Sequence, residues 1–147
     1  MSEIRRRDIG IYKPNKNITG AVAQFKISNR NDCMFLEMAK QKGEMKSSAP
    51  YDWENTKITV KLGIPDITKM MAYLRLNTEA PLKLFHKTDK GTKSIELKWQ
   101  SQYKNYYLSV SSKEGDELKR AAVPVGLDEV EILMVGFNRA LEIILGW

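Results

Sequence analysis

Hydrophobic and polar residues alternate with period two along most of this chain, and the alternation gives way to a helical spacing in two places. Ala21, Ala23, Phe25 and Ile27 share one parity, with Val22, Gln24 and Lys26 on the other. Ile58, Val60 and Leu62 oppose Trp53, Asn55, Lys57, Thr59 and Lys61 in the same way. Leu82, Leu84 and His86 oppose Lys83, Phe85 and Lys87, and Ile95, Leu97 and Trp99 oppose Glu96, Lys98 and Gln100. Tyr106, Leu108 and Val110 oppose Tyr107, Ser109 and Ser111. Successive strand side chains point to opposite faces, so each run predicts a strand with one covered and one solvent-facing side. The predicted strands are Ile9–Lys13, Ala21–Ser28, Cys33–Lys40 and Tyr51–Leu62, then Leu82–Lys87, Ser94–Gln100, Tyr106–Ser112 and Leu118–Val125. Turn clusters separate them: Asn15-Lys16-Asn17, Asn29-Arg30-Asn31-Asp32, Asp89-Lys90-Gly91 and Glu114-Gly115-Asp116. The segment from Gln41 to Pro50 reads as a loop.

A helix is predicted from about Asp66, as N-cap, to Leu74 or Leu76. A second opens after Val125-Gly126 with Asp128, Glu129 and Glu131 in its first turn, where acids complement the positive dipole end. In it Val130, Leu133, Met134, Phe137, Leu141, Ile144 and Leu145 form one broad apolar stripe, and Ile132, Val135 and Ile143 add apolar surface elsewhere. A helix apolar nearly all round is covered on more than one side. This one is expected to be both a core element and an assembly surface, with Val130, Met134, Phe137, Leu141, Ile144 and Trp147 at the interface between subunits. The order is four strands and a helix, twice, which makes an α+β fold of two antiparallel four-stranded sheets and two helices. Leu62-Gly63-Ile64, Ile67, Met70 and Met71 align at an offset of 63 on Val125-Gly126-Leu127, Val130, Leu133 and Met134. A constant offset suggests a duplicated unit, spanning about 9–76 and 81–147, within a single domain over residues 1–147.

With 147 residues, 42% hydrophobic and 29% charged, the chain is long enough for a proper core and too apolar to be disordered. No run is long enough to span a membrane. The stretch Met1 to Asp8 has no apolar segment of the signal-peptide kind, so the expected location is cytoplasmic, with a nucleoid-associated or viral setting open. The net charge of +6 is unevenly placed: the final helix holds four acids and one Arg, which leaves +9 on the remainder. A basic body points to a polyanionic partner.

One His (His86) and one Cys (Cys33) leave little room for a catalytic constellation, and no zinc spacing or phosphate-cradling glycine loop is present. No enzyme activity, metal or cofactor is expected. The solvent-facing parity of the strands carries lysines interleaved with large aromatics, a mixture suited to single-stranded nucleic acid, lysines on phosphates and aromatic rings on bases. The alternative is that Trp53 and Phe85 fill a packing gap beneath the loop from Gln41 to Pro50. Among the acids, Glu96 is the main exception on these faces. The candidate nucleic-acid-binding residues are Gln24, Lys26, Trp53, Lys57, Lys61, Lys83, Phe85, Lys87, Lys98 and Tyr107, with Lys13 joining them from the resemblance below.

Five motifs in order resemble the Whirly single-stranded DNA-binding proteins: Ile11-Tyr12-Lys13, Tyr51-Asp52-Trp53, Leu84-Phe85-His86 with Asp89-Lys90-Gly91, Tyr107-Leu108-Ser109-Val110, and Leu145-Gly146-Trp147. The resemblance implies a tandem four-strands-plus-helix fold and a homotetramer with helices at its centre. Single-stranded DNA would lie between neighbouring sheets, for genome maintenance, recombination or replication. Related kinetoplastid proteins bind guide RNA, so an RNA-binding or RNA-annealing protein is the alternative, and a non-binding oligomeric scaffold a third. After Lys13 the chain reads Pro14-Asn15-Lys16-Asn17 where the plant proteins have Gly-Lys-Ala. Of that motif only Lys13 carries over, and no assembly beyond a tetramer is expected.

Overall fold

A computed structural model describes residues 8–147. The first sheet is an antiparallel meander of β1 (Ile9–Lys13), β2 (Ala21–Ile27), β3 (Met34–Lys40) and β4 (Ile58–Leu62). The second is an antiparallel meander of β5 (Leu82–Thr88), β6 (Gly91–Gln100), β7 (Asn105–Glu114) and β8 (Glu117–Val125). A one-turn helix α1 (Trp53–Thr56) precedes β4, and the longer helices are α2 (Ile64–Tyr73) and α3 (Leu127–Leu145). The expected α+β plan is therefore present, with the parities read from the alternation. Ala23, Phe25, Leu36, Val60, Ile95, Leu108 and Val123 all lie in one buried cluster together with α2 and α3.

Several strand ends shift from the sequence reading, β6 starting at Gly91 and β7 running from Asn105 to Glu114, and two differences have a side-chain cause. The single strand expected over Tyr51–Leu62 is broken, because Asp52 caps a turn of its own. Its Oδ1 accepts from the Asn55 N–H at 3.1 Å, and the Thr56 hydroxyl donates to its carbonyl at 2.6 Å. Such local side-chain bonds offer the backbone an alternative to the ladder. Asp66 is not the N-cap of α2. That position is Gly63, and Asp66 sits at the third helical residue, its carboxylate accepting from the Gly63 N–H at 3.0 Å. Pro65 occupies the first turn, where its missing N–H costs nothing.

The helix start of α3 is built alike, with Gly126 as N-cap and Glu129 accepting from the Gly126 N–H at 2.9 Å. Each capping acid also meets a side chain from the first strand of the opposite half. Glu129 pairs with Lys13 of β1 at 2.7 Å, and Asp66 meets His86 of β5 at 3.1 Å. The helices cross over accordingly: α3 lies against β1 and α2 against β5. Phe137 of α3 meets Phe25 of β2 edge to face, with centroids 5.6 Å apart. The connection between the halves is tied down by Tyr106, whose hydroxyl donates to the Leu74 carbonyl and to Asn77, and by Tyr73, whose hydroxyl accepts from the Trp99 N–H.

Candidate nucleic-acid interface

The outer face of the first sheet carries Gln24, Lys26, Thr59 and Lys61, because these have the parity opposite to the core residues. Glu37 of β3 lies among them. Its side chain is only 7% exposed, and it holds the ammonium groups of Lys26 and of Lys57, the latter at 2.7 Å. The Thr59 hydroxyl adds a third donor at 3.3 Å. Burial alone would raise the Glu37 carboxyl, but the two ammonium groups outweigh it and hold the carboxyl below its ordinary value. Two of the candidate lysines are thus already charge-compensated. Lys61 is exposed, with no ion pair among the described residues. At the other end of this face Trp53 is half-buried against Val22, Ala39 and Tyr51, and Tyr12 tilts over Tyr51 with centroids 6.1 Å apart. Burial pushes the Tyr51 phenol up, with Tyr12 adding to the shift. Trp53 reaches this surface from α1 and not from a strand, and much of its ring packs on the sheet.

The outer face of the second sheet is richer. Rows of cross-strand neighbours run Lys83–Glu96–Ser109–Ala122, Phe85–Ser94–Ser111–Arg120 and Lys87–Thr92–Lys113–Leu118, with Lys98–Tyr107–Pro124 at the far end. Phe85 is 75% exposed, so it is not filling a packing gap, and Tyr107 is 38% exposed. Among the described residues no ion pair engages Lys83, Lys87, Lys98 or Arg120. The Ser94 and Ser111 hydroxyls bond to each other between Phe85 and Arg120. The Phe85 row thus presents aromatic, hydroxyl and cationic groups in line at strand spacing, about 4.8 Å apart, with Lys83 and Lys87 in the rows on either side.

Between this face and the β1–β2 turn lies a cavity of about 720 Å³. Ile18, Thr19 and Gly20 wall one side, and Glu96, Tyr107 and Arg120 line the other. The sequence reading did not find Glu37 or Arg120 as parts of these faces. The parity of β3 and β8 carries the signal for both, Glu37 standing between Leu36 and Met38 and Arg120 opposite Ala121 and Val123.

Of the other candidates, Lys13 falls away from both outer faces. It has the parity of Ile9 and Ile11, faces α3 and is engaged by Glu129. Of the six residues expected between subunits, Val130 and Phe137 are buried in the chain's own core, and Met134, Leu141 and Ile144 pack partly against it. Trp147 is 93% exposed. The exposed apolar side of α3 is formed by Leu127, Ile132, Val135 and Leu145; the stripe argument placed Ile132 and Val135 off the main face and Leu145 on it. Among the described residues no His, Cys, Asp or Glu cluster could hold a metal, and no helix is long and apolar enough to cross a membrane.

Two antiparallel meanders with lysines and exposed aromatics on their outer faces, backed by crossed helices, define a class: a nucleic-acid-binding α+β module. Residues 13–135 match the model of the Whirly transcription factor family. The chain belongs to the Whirly family, which is a nucleic-acid-binding and non-enzymatic one. Among solved structures, WHY3 from Arabidopsis thaliana superposes with a TM-score of 0.75 at 17% identity, covering 99% of this chain and 92% of that one. The plant transcriptional regulator PBF-2 gives 0.75 at 18% identity, with 99% and 86% covered. A guide-RNA-binding protein complex bound to a guide RNA gives 0.72 at 15% identity, with 95% and 92% covered. At these identities the likeness is one of fold. No curated protein matches the chain in sequence.

Proposed function

We propose that this protein binds single-stranded DNA, largely without sequence preference and without enzymatic activity, in the service of genome maintenance, recombination or replication. The observation that carries the reading is Phe85. An aromatic ring three-quarters exposed, flanked by Lys83 and Lys87 and followed across the sheet by hydroxyls and Arg120, is a stacking platform beside phosphate ligands. A duplex keeps its base faces stacked and offers mainly phosphates to such a surface, and neither sheet presents a helix to a major groove. Binding of labelled single strand, duplex and RNA of one sequence, followed by anisotropy at about 100 mM salt, tests this. The single DNA strand is expected to bind at least about tenfold more tightly than duplex, a ~1.4 kcal/mol difference that one base stack can supply. Equal binding of duplex would overturn the reading. The second reading, an RNA-binding protein of the same fold, is favoured by the neighbour bound to a guide RNA. RNA binding well above that of single-stranded DNA would select it.

The active form is a homotetramer joined through α3, whose Ile132 and Val135 are apolar and exposed at 57% and 71%. Without the Gly-Lys-Ala motif, tetramers do not assemble further. The halves 9–76 and 81–147 are copies of one ancestral unit. The matched Gly63 and Gly126 caps with their acidic third residues support this.

A further inference from the structure

We propose that the cavity between the β1–β2 turn and the second sheet is a guanine-selecting subsite, with Glu96 as the residue that reads the base. The inference rests on the reading of this face as a single-strand path, and adds one base-reading position to a path that is otherwise indifferent to sequence. At about 720 Å³ the cavity is of a size that takes a nucleotide, since small-ligand pockets run from roughly 300 to 1,000 Å³. Its far wall is rigid. Gln41 is buried, and its amide oxygen accepts from the Asn15 and Gly20 N–H groups while its amide nitrogen donates to the carbonyls of Asn15 and Gly43. The Asn15 side chain adds two bonds to Thr19. These contacts hold Ile18 at a φ of 58°, a left-handed conformation that a β-branched residue rarely takes. Such strain persists only where surroundings impose it, and it concentrates at functional positions. A turn held this firmly keeps the cavity open before any ligand arrives.

The near wall carries an acid where a phosphate-binding surface should have none. Glu96 lines the cavity with neither a hydrogen bond nor an ion pair among the described residues. An ionised carboxylate only accepts hydrogen bonds, so it repels phosphates and seeks N–H groups. In a single strand the Watson–Crick edges of the bases are free to be read. Guanine presents two adjacent donors there, at N1 and at the 2-amino group, which match the two oxygens of one carboxylate in the parallel geometry that makes bidentate pairs strong. Thymine offers a single N–H flanked by carbonyl oxygens, which face the carboxylate unfavourably.

The neighbours complete the subsite. Tyr107 is diagonal to Glu96 across β6 and β7, a spacing of about 7–8 Å at which an aromatic ring reaches its neighbour's ligand. Arg120 stands two strands over and one row along, roughly 12 Å away by strand spacing and rise. That is the reach from the base edge of a nucleoside monophosphate to its phosphate. Ring, carboxylate and guanidinium thus address base face, base edge and phosphate of one nucleotide.

The test compares oligo-dT with the same strand carrying isolated guanines, for the wild type, Glu96→Gln and Glu37→Gln. Wild type is expected to prefer the guanine-bearing strand by about tenfold, ~1.4 kcal/mol. Inosine, which lacks the 2-amino group, should lose most of that preference. Glu96→Gln should bind oligo-dT more tightly, since a negative charge has left the groove, and should bring the ratio close to one. Glu37→Gln removes the same charge outside the cavity and should leave the ratio intact. Oligo-dT binding with no guanine preference in wild type would overturn the subsite, as would a ratio that survives Glu96→Gln or a preference confined to cytosine or adenine. Loss of all single-strand binding would instead sink the functional reading on which the subsite rests.

Discussion

Removing an acid from the outer face of the first sheet should strengthen nucleic-acid binding, and the geometry around Glu37 sets by how much. Its carboxylate compensates both Lys26 and Lys57, whose side chains are 39% and 46% exposed. In Glu37→Gln both ammonium groups keep their charge and lose their counter-charge. They then become available to two phosphates, each adding about 0.7 to the slope of log K against log salt on a single strand. Two contacts give about 1.4, so over the decade from about 1 M to 0.1 M salt the variant gains roughly 25-fold in affinity over wild type. The fold should tolerate the change. Glutamine keeps the shape, and the half-exposed lysines regain water, so the cost is about 1 kcal/mol, or about 3–4 °C in Tm for a chain of this size. Anisotropy titrations at several salt concentrations measure the slope directly. A slope unchanged within 0.3 log unit or so in a variant that still unfolds cooperatively would refute the reasoning and place the first sheet off the nucleic-acid path. The pH dependence has a fixed sign. The folded Glu37 carboxyl lies below its ordinary 4.5, so its stabilising contribution is present above that value and is lost as pH falls through the folded value. The stability gap between wild type and Glu37→Gln should therefore be full at pH 6 and shrink as pH falls below 4.5 and through the lower folded value.

Phe85→Ala should weaken single-strand binding by about 1–3 kcal/mol at every salt concentration, whereas Lys83→Ala or Lys87→Ala should flatten the salt slope by about 0.7; salt titrations separate the two. If α3 joins subunits, Ile132→Asp with Val135→Asp should give folded monomers by light scattering, because neither side chain is buried within the chain and an unpaired charge opposes burial between chains. A wild-type monomer at micromolar concentration would rule out the tetramer. Gly20→Ala should destabilise by roughly 1–3 kcal/mol in urea, since an added Cβ would lie 2.0 Å from the Lys13 carbonyl oxygen, which is backbone and cannot swing aside.

The strands and the final helix were legible because period two and period 3.6 are both written in long runs, and Phe85 between Lys83 and Lys87 marked an outer face without further help. What the alternation could not carry was anything set by a local competitor or by a distant partner. Asp52 turned the expected strand at Trp53 into a helical turn through two bonds to its own neighbours. Asp66 read as a cap because Asp caps well, yet the residue three before it, Gly63, takes the position and leaves Asp66 to close the box. Lys13 resembled a ligand for DNA, and only its parity with Ile11 tells that it faces α3. On α3 the apolar residues fill more than one side, so the stripe alone does not say which side the chain's own sheet will take. Phe137 went inward to meet Phe25, and Val135 was left facing out.

The crossed pairing of Glu129 with Lys13 and of Asp66 with His86 bears on how the chain comes to be folded at all. Each long helix closes its first turn with its own acid, but that acid gains its second partner only once the opposite half has supplied its first strand, and Glu129 and Lys13 lie 116 residues apart. Contacts that distant place folding towards the slow, millisecond-to-second end of the range for small domains. During synthesis the first half emerges with the inner face of β1 uncovered, because α3, the helix that covers it, is the last element to appear. The amino-terminal half is thus expected to wait, exposed, for the carboxy-terminal one. A chain cut between Asn77 and Pro81 should yield two fragments that fold on meeting each other and not before.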